Sequence, residues 1–181
     1  MKVRECDLNG ILILEPNRYQ DRRGHFLESY QHDRYKKYGI SEYFVQDNLS
    51  RSYKNILRGM HFTQKRSQSQ LLTIIRGCIY DVVVDIRIDS ETYGKWFGIQ
   101  LSEDDGPSQI YMPNGFAHGF CVLSDVADLH YKVSEKYDPK DDFGLVWSDS
   151  QIRIKWPIEN PIVSEKDMKN MKFADLHDMQ K

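Results

Sequence analysis

The 181-residue chain sets 25 Lys+Arg against 27 Asp+Glu, a formal net charge of -2, with 40% hydrophobic and 29% charged residues. This is the composition of a folded chain with a sizeable core, not of a disordered one. The charge balance argues against a dedicated nucleic-acid binder, which carries a basic stripe. The opening MKVRECDLNG holds no signal-peptide run, and no apolar stretch approaches a membrane span. Cys6, Cys78 and Cys121 are widely spaced, odd in number and form no CxxC pair. They are expected to be reduced thiols of a cytoplasmic protein.

In chain order, GILILEP (10–16) alternates and predicts a strand. ESYQHDRYKKYGI (28–40) predicts a short helix ended by Gly39. From residue 43 to 148, short apolar stretches alternate with turn signals: SRSYKN, KRSQSQ, IRG, RIDSETYG, SEDDGPS, MPNG, LSD and YDPKDD. Such spacing predicts an all-β sandwich or barrel. The clearest strand is CIYDVVVDIRI (78–88), with Cys78, Tyr80, Val82, Val84, Ile86 and Ile88 on one face. Its other face is mixed, with Asp81, Asp85 and Arg87 beside Ile79 and Val83. After IKWPIENP a helical tail begins at about residue 164. No repeat, low-complexity tract or linker interrupts the chain, so residues 1–181 are expected to form a single domain. Eight or more short strands with peripheral helices fit a jelly-roll barrel, whose mouth is a usual ligand site.

Several side chains on these strands bear chemistry. In GFAHGFCVL (115–123), Phe116, His118, Phe120 and Val122 share a face, which predicts an inward His118. In ADLHYKVSEKY (127–137), Leu129, Tyr131 and Val133 share a face, which turns Tyr131 inward as well. In LRGMHF (57–62), Leu57, Gly59 and His61 alternate with Arg58, Met60 and Phe62. A bulge at Gly59 would alter the face on which Arg58 lies. A lone inward histidine is more often a hydrogen-bonded core residue than a base, and a strand tyrosine is usually packing. Two histidines and a tyrosine inside one small barrel, however, form a proton-handling set. No HxH or HExxH spacing occurs, and Thr63 stands where a second ligand would follow His61. No metal site is therefore expected. In SEKD (164–167), the pattern favours a capping box between Ser164 and Asp167. The alternative is that Asp167 reaches His61 and fixes its tautomer.

The segments LRGMHF, GCIYDVVVDIRIDSETYGKWFGIQLS, YMPNGFAHGFCVLS, YKVSEKY, LVWSD, IKWP and SEKD, preceded by DRRGHFLE (21–28) and QDNLS (46–50), run in order from about residue 10 to 170. Together they resemble the dTDP-4-dehydrorhamnose 3,5-epimerase family, the nucleotide-sugar 4-keto epimerases of the cupin superfamily. The resemblance implies a metal-free and cofactor-free jelly roll that inverts C3 and C5 of a nucleotide-linked 4-keto-6-deoxy sugar. It implies His61 as base, Asp167 as its carboxylate partner, and Tyr131 as acid on the opposite ring face. His118 would line the sugar site, and Arg58, Gln46 and Asn48 would meet the pyrophosphate. It further implies a homodimer in which Arg23, Phe26 and Glu28 of an N-terminal segment reach the partner's nucleotide. The product would serve a lipopolysaccharide such as O-antigen, a capsule or an antibiotic sugar.

Two positions depart from the family pattern. The usual lysine of Q-G-K-L is Gln70, in a stretch about one residue shorter, and the usual N-Y-Y is Glu135-Lys136-Tyr137. Both fall where sugar and nucleotide are recognised. Three other readings therefore stand beside the first: a C3-only epimerase of a CDP- or GDP-linked sugar, a ketoisomerase, and a non-catalytic binding cupin.

Overall fold

A computed structural model describes residues 1–66 and 68–179. The chain opens with β1 (Lys2–Glu5) and β2 (Leu12–Glu15), then a hairpin of β3 (Arg18–Asp21) and β4 (Gly24–Leu27), then helix α1 (His32–Lys36). The central strands are β5 (Gln46–Tyr53), β6 (Ile56–Phe62), β7 (Gln70–Arg76), β8 (Cys78–Asp85), β9 (Trp96–Ser102), β10 (Gln109–Met112), β11 (Phe116–Val122) and β12 (Val126–Val133). Short β13 (Phe143–Gly144) and β14 (Ile162–Val163) lead to helices α2 (Glu165–Met168) and α3 (Phe173–Met179).

The strands form two facing sheets, as expected of a cupin jelly roll. One has the order β1-β2-β10-β7-β12-β5; the other runs β13-β6-β11-β8-β9, with β14 added beside β6. Leu72, Ile110 and Leu129 of the first sheet meet Ile79, Val83, Leu101, Phe116 and Phe120 of the second in the central core. The back of the second sheet (Met60, Phe62, Val82, Val84, Ala117) is covered by Leu145, Ile152 and Leu176 from the C-terminal third. The back of the first is partly covered by Tyr35 and Ile40. Burying each such large side chain contributes about 1.5–3 kcal/mol. These layers hold the C-terminal segment, and with it α2, against β6.

The alternation of β8 is as expected, but the mixed face is the inner one: Ile79 and Val83 face the central core, while Val82 and Val84 face the C-terminal layer. The strand ends at Asp85, three residues earlier than the pattern suggests. There the buried carboxylate collects the Arg87 guanidinium at 2.6 Å, the Ser90 hydroxyl at 2.6 Å and the Thr92 hydroxyl at 2.5 Å, curling the chain into a loop. SRSYKN is likewise mostly strand. β5 continues to Tyr53, and the turn is confined to Lys54 and Asn55, where Asn55 adopts the left-handed region. β1 and the β3–β4 hairpin carry no alternating pattern and were not expected.

β6 holds the bulge that matters most. His61 pairs with His118 and Arg58 with Phe120, so β6 spends three steps where β11 spends two. The extra residue is accommodated at Gly59, whose φ is +122°. A Cβ there would lie 2.5 Å from the Cα of Gly119 and 2.8 Å from the carbonyl oxygen of His118. Strict alternation puts Arg58 and His61 on opposite faces; the bulge turns both into the interior, while Met60 and Phe62 remain in the outer layer.

Candidate active site

A cavity of about 390 Å³ opens between the two sheets. The first sheet supplies Gln46, Asn48 and Ser50 from β5, Gln70 and Leu72 from β7, and Tyr131 from β12. The second supplies Arg58 and His61 from β6 and His118 from β11. Gln68, Tyr137 and Asp142 close the rim.

The imidazole of His61 is anchored from behind. Its Nε2 lies 2.7 Å from Oδ1 of Asp167, which is buried. A carboxylate only accepts, so Nε2 carries a proton, and in the neutral form of the ring Nδ1 is the basic nitrogen. The other oxygen of Asp167 accepts the backbone N–H of Gly59 at 3.2 Å. The cap at Ser164 forms too, since its hydroxyl accepts the Asp167 N–H at 3.0 Å. That bond uses only the Asp167 backbone. The two side-chain oxygens of Asp167 are engaged by His61 and Gly59. Burial pushes the Asp167 carboxyl up, but the hydrogen bond and charge of His61, with Gly59 and Ser164, hold it below its ordinary 3.8.

His118 repeats this arrangement. Its Nε2 is 2.7 Å from Oδ2 of Asp81, a fully buried carboxylate on β8. Sequence reasoning set Asp81 on the mixed face and gave it no role. The signal was a carboxylate between Ile79 and Val83 on what proves to be the inner face. His61 and His118 are cross-strand partners, so two imidazoles stand side by side, each with its own acid. Among the described residues, no three His, Cys, Asp or Glu side chains converge on a metal-sized site.

Tyr131 comes from the facing sheet. Burial pushes its phenol up, Asp142 adds to this, and Arg58 partly offsets it. It is therefore protonated at neutral pH. Arg58 is braced on β5: its Nε–H donates to the Ser52 hydroxyl at 2.9 Å, which leaves Nη1 for an anion. Gln46 donates to Asn48 at 2.8 Å, and Gln70 donates to Gln68 at 3.2 Å. Around Tyr131 the first sheet thus presents neutral amides, and Arg58 is the permanent cation among the described lining residues. A base on one sheet and a phenolic acid on the other suit proton removal from one face of a ring and delivery to its opposite face.

Arg23, Phe26 and Glu28 are not at this cavity. They lie on or just after the β3–β4 hairpin, which among the described residues pairs with no other strand. Arg23 is paired with Asp21, Glu28 with Arg34, and Phe26 is 69% exposed. Ser50, Gln68, Tyr137 and Asp142 line the cavity although no role was assigned to them from the sequence. Gln68 and Tyr137 fall in the two stretches that depart from the family pattern, whereas the context of Ser50 and Asp142 gave no signal of chemistry.

Comparison with known proteins finds relatives along nearly the whole chain. The family model described as dTDP-4-dehydrorhamnose 3,5-epimerase matches residues 5–175. The Escherichia coli K12 protein of that name is 44% identical over 179 residues, covering 97% of this chain and 96% of its own. A dTDP-4-dehydrorhamnose 3-epimerase of Streptomyces niveus is 36% identical over 180 residues, covering 98% and 86%. The crystal structure of dTDP-6-deoxy-D-glucose-3,5-epimerase from Legionella pneumophila in complex with dTDP-4-keto-L-rhamnose superimposes with a TM-score of 0.91. It is 40% identical, and the match covers 97% of this chain and 96% of that one.

The support from Asp167 has a defined pH sense. Because its folded carboxyl is held below 3.8, its contribution to stability is complete above that value and is lost as pH falls through the lowered one. Asp167→Asn is expected to remove that acid-limb dependence in urea titrations. It is also expected to lower turnover by roughly a thousandfold, by freeing the His61 tautomer. An unchanged turnover contradicts the pairing.

Proposed function

Because the chain belongs to the dTDP-4-dehydrorhamnose 3,5-epimerase family, we propose that this cavity inverts C3 and C5 of a dTDP-linked 4-keto-6-deoxy hexose through the residues described above. The observation that carries the reading is the placement of His61 and Tyr131 on facing sheets.

The keto group at C4 acidifies the hydrogens on C3 and C5. Nδ1 of His61 takes one of these protons, and the electron pair of the broken C–H bond moves into an enolate with its charge on the C4 oxygen. Hydrogen-bond donors near that oxygen stabilise it, and the amide of Gln70, which lines the cavity, supplies one. A glutamine donates without bringing charge. Tyr131 then delivers its proton to the opposite face of the same carbon. Exchange with water restores both groups before the second centre reacts. Arg58 takes the diphosphate, with Gln46 and Asn48 beside it.

Two further parts of the reading concern assembly and setting. Arg23, Phe26 and Glu28 act in trans, on the nucleotide of a second subunit in a homodimer. The hairpin that pairs with no other described strand, with Tyr19 and Phe26 exposed, supports this, as do exposed Leu49 and Tyr53 on edge strand β5. Sedimentation as a monomer at assay concentration contradicts it. Three free cysteines fit a cytoplasmic enzyme, and the product fits deoxysugar supply for a surface polysaccharide such as O-antigen. No described helix is long and apolar enough to cross a membrane.

Proton NMR in D2O with dTDP-4-keto-6-deoxyglucose tests the activity. Deuterium is expected at both C3 and C5, and His61→Ala is expected to abolish incorporation while keeping affinity for dTDP. Deuterium at C3 alone would place the chain with the Streptomyces niveus 3-epimerase instead. No exchange at either carbon contradicts the proposal.

A further inference from the structure

Asp142 is the one carboxylate among the described residues lining the cavity. For a site that takes a nucleoside diphosphate this is an odd choice, because a carboxylate repels the phosphates and costs affinity unless another part of the ligand uses it. Its surroundings show that it is built in. Oδ2 accepts the Lys166 ammonium at 2.6 Å and the Tyr137 hydroxyl at 3.0 Å. Both hydrogen bonds from described residues go to that one oxygen, and Oδ1 is left for a ligand.

The position of Asp142 is fixed from two directions. Neighbouring Asp141 is buried, and its carboxylate accepts the backbone N–H groups of Gln64, Lys65 and Arg66 at 2.8–3.0 Å. Lys166 sits beside Asp167 on α2, so the same short helix holds both His61 and Asp142. Asp142 therefore keeps a constant position relative to the base. It lines the same cavity as Tyr131.

The chemistry of the reaction selects the group it meets. In the hexose, C1 bears the diphosphate, C4 the ketone and C6 a methyl group. Free hydroxyls remain at C2 and C3, and the C3 hydroxyl moves when C3 inverts. A contact held throughout turnover must therefore use C2. We propose that Asp142 is a specificity-determining residue whose Oδ1 accepts a hydrogen bond from the C2 hydroxyl, so that the enzyme selects hexoses that retain it over 2-deoxy sugars. This rests on the 4-keto sugar reading above.

The test compares kcat/KM for dTDP-4-keto-6-deoxyglucose with that for its 2-deoxy analogue. The wild type is expected to favour the hydroxylated sugar by on the order of tenfold to a hundredfold, as a charge-assisted bond to a substrate hydroxyl allows. Asp142→Ala is expected to bring the two within about threefold, mainly by raising KM for the hydroxylated sugar. Lys166→Met, which leaves the carboxylate in place, is expected to keep the preference. Should Asp142→Ala fail to fold, Asp142→Asn carries the test with a smaller loss of preference. A purely structural role lowers both substrates alike and keeps the ratio, and that result overturns the proposal. So does a wild type without preference, in which case the epimerase reading still stands. Turnover of neither sugar overturns both.

Discussion

The bare-backbone approach of Gly59 to Gly119 governs the site. No side chain fits at 59, because its Cβ would enter the backbone of β11. That contact permits the bulge, and the bulge does three things at once. It turns Arg58 and His61 into one cavity. It frees the Gly59 N–H from the ladder to bond Asp167. It also keeps Met60 and Phe62 packed against the C-terminal layer that carries α2. The proposed phosphate anchor, the proposed base and that base's carboxylate thus derive from one local deviation in one strand.

The division of labour between the sheets follows. The second sheet supplies the histidines, and each is paired with an acid that water barely reaches. The first supplies the phenol and a set of neutral amides. On the proposed reading, a sugar held between them meets a proton acceptor from one side and a donor from the other. Such preorganisation is costly to assemble and inexpensive to use, since the groups need little rearrangement as charge develops. The buried carboxylates Asp81 and Asp167 each hold a histidine, and Asp141 collects three backbone N–H groups.

Much of this was legible in the sequence. Period-two patterning found the inward faces of β11 and β12, and so His118 and Tyr131. The ordered motifs found the family. What patterning missed has physical causes. The face of Arg58 depends on a glycine's left-handed backbone, which alternation cannot register. Asp167 looked like a capping residue because its backbone is one; only its side chain belongs to His61. Asp85 shortened a strand through side-chain bonds that compete with the ladder. β1 and the β3–β4 hairpin are short and largely exposed, so they lack the buried stripe that marks a strand. Asp81, 37 residues from His118 in the chain, shows its role only once β8 and β11 are paired.

The claim on which the account turns is that abstraction and reprotonation come from different sheets. Tyr131→Phe separates them. The variant would be followed by proton NMR in D2O with dTDP-4-keto-6-deoxyglucose. Deuterium should enter the sugar through His61, while the inverted product falls by on the order of a hundredfold or more. Inverted product formed at the wild-type rate would contradict the assignment of the acid and return Tyr131 to a packing role.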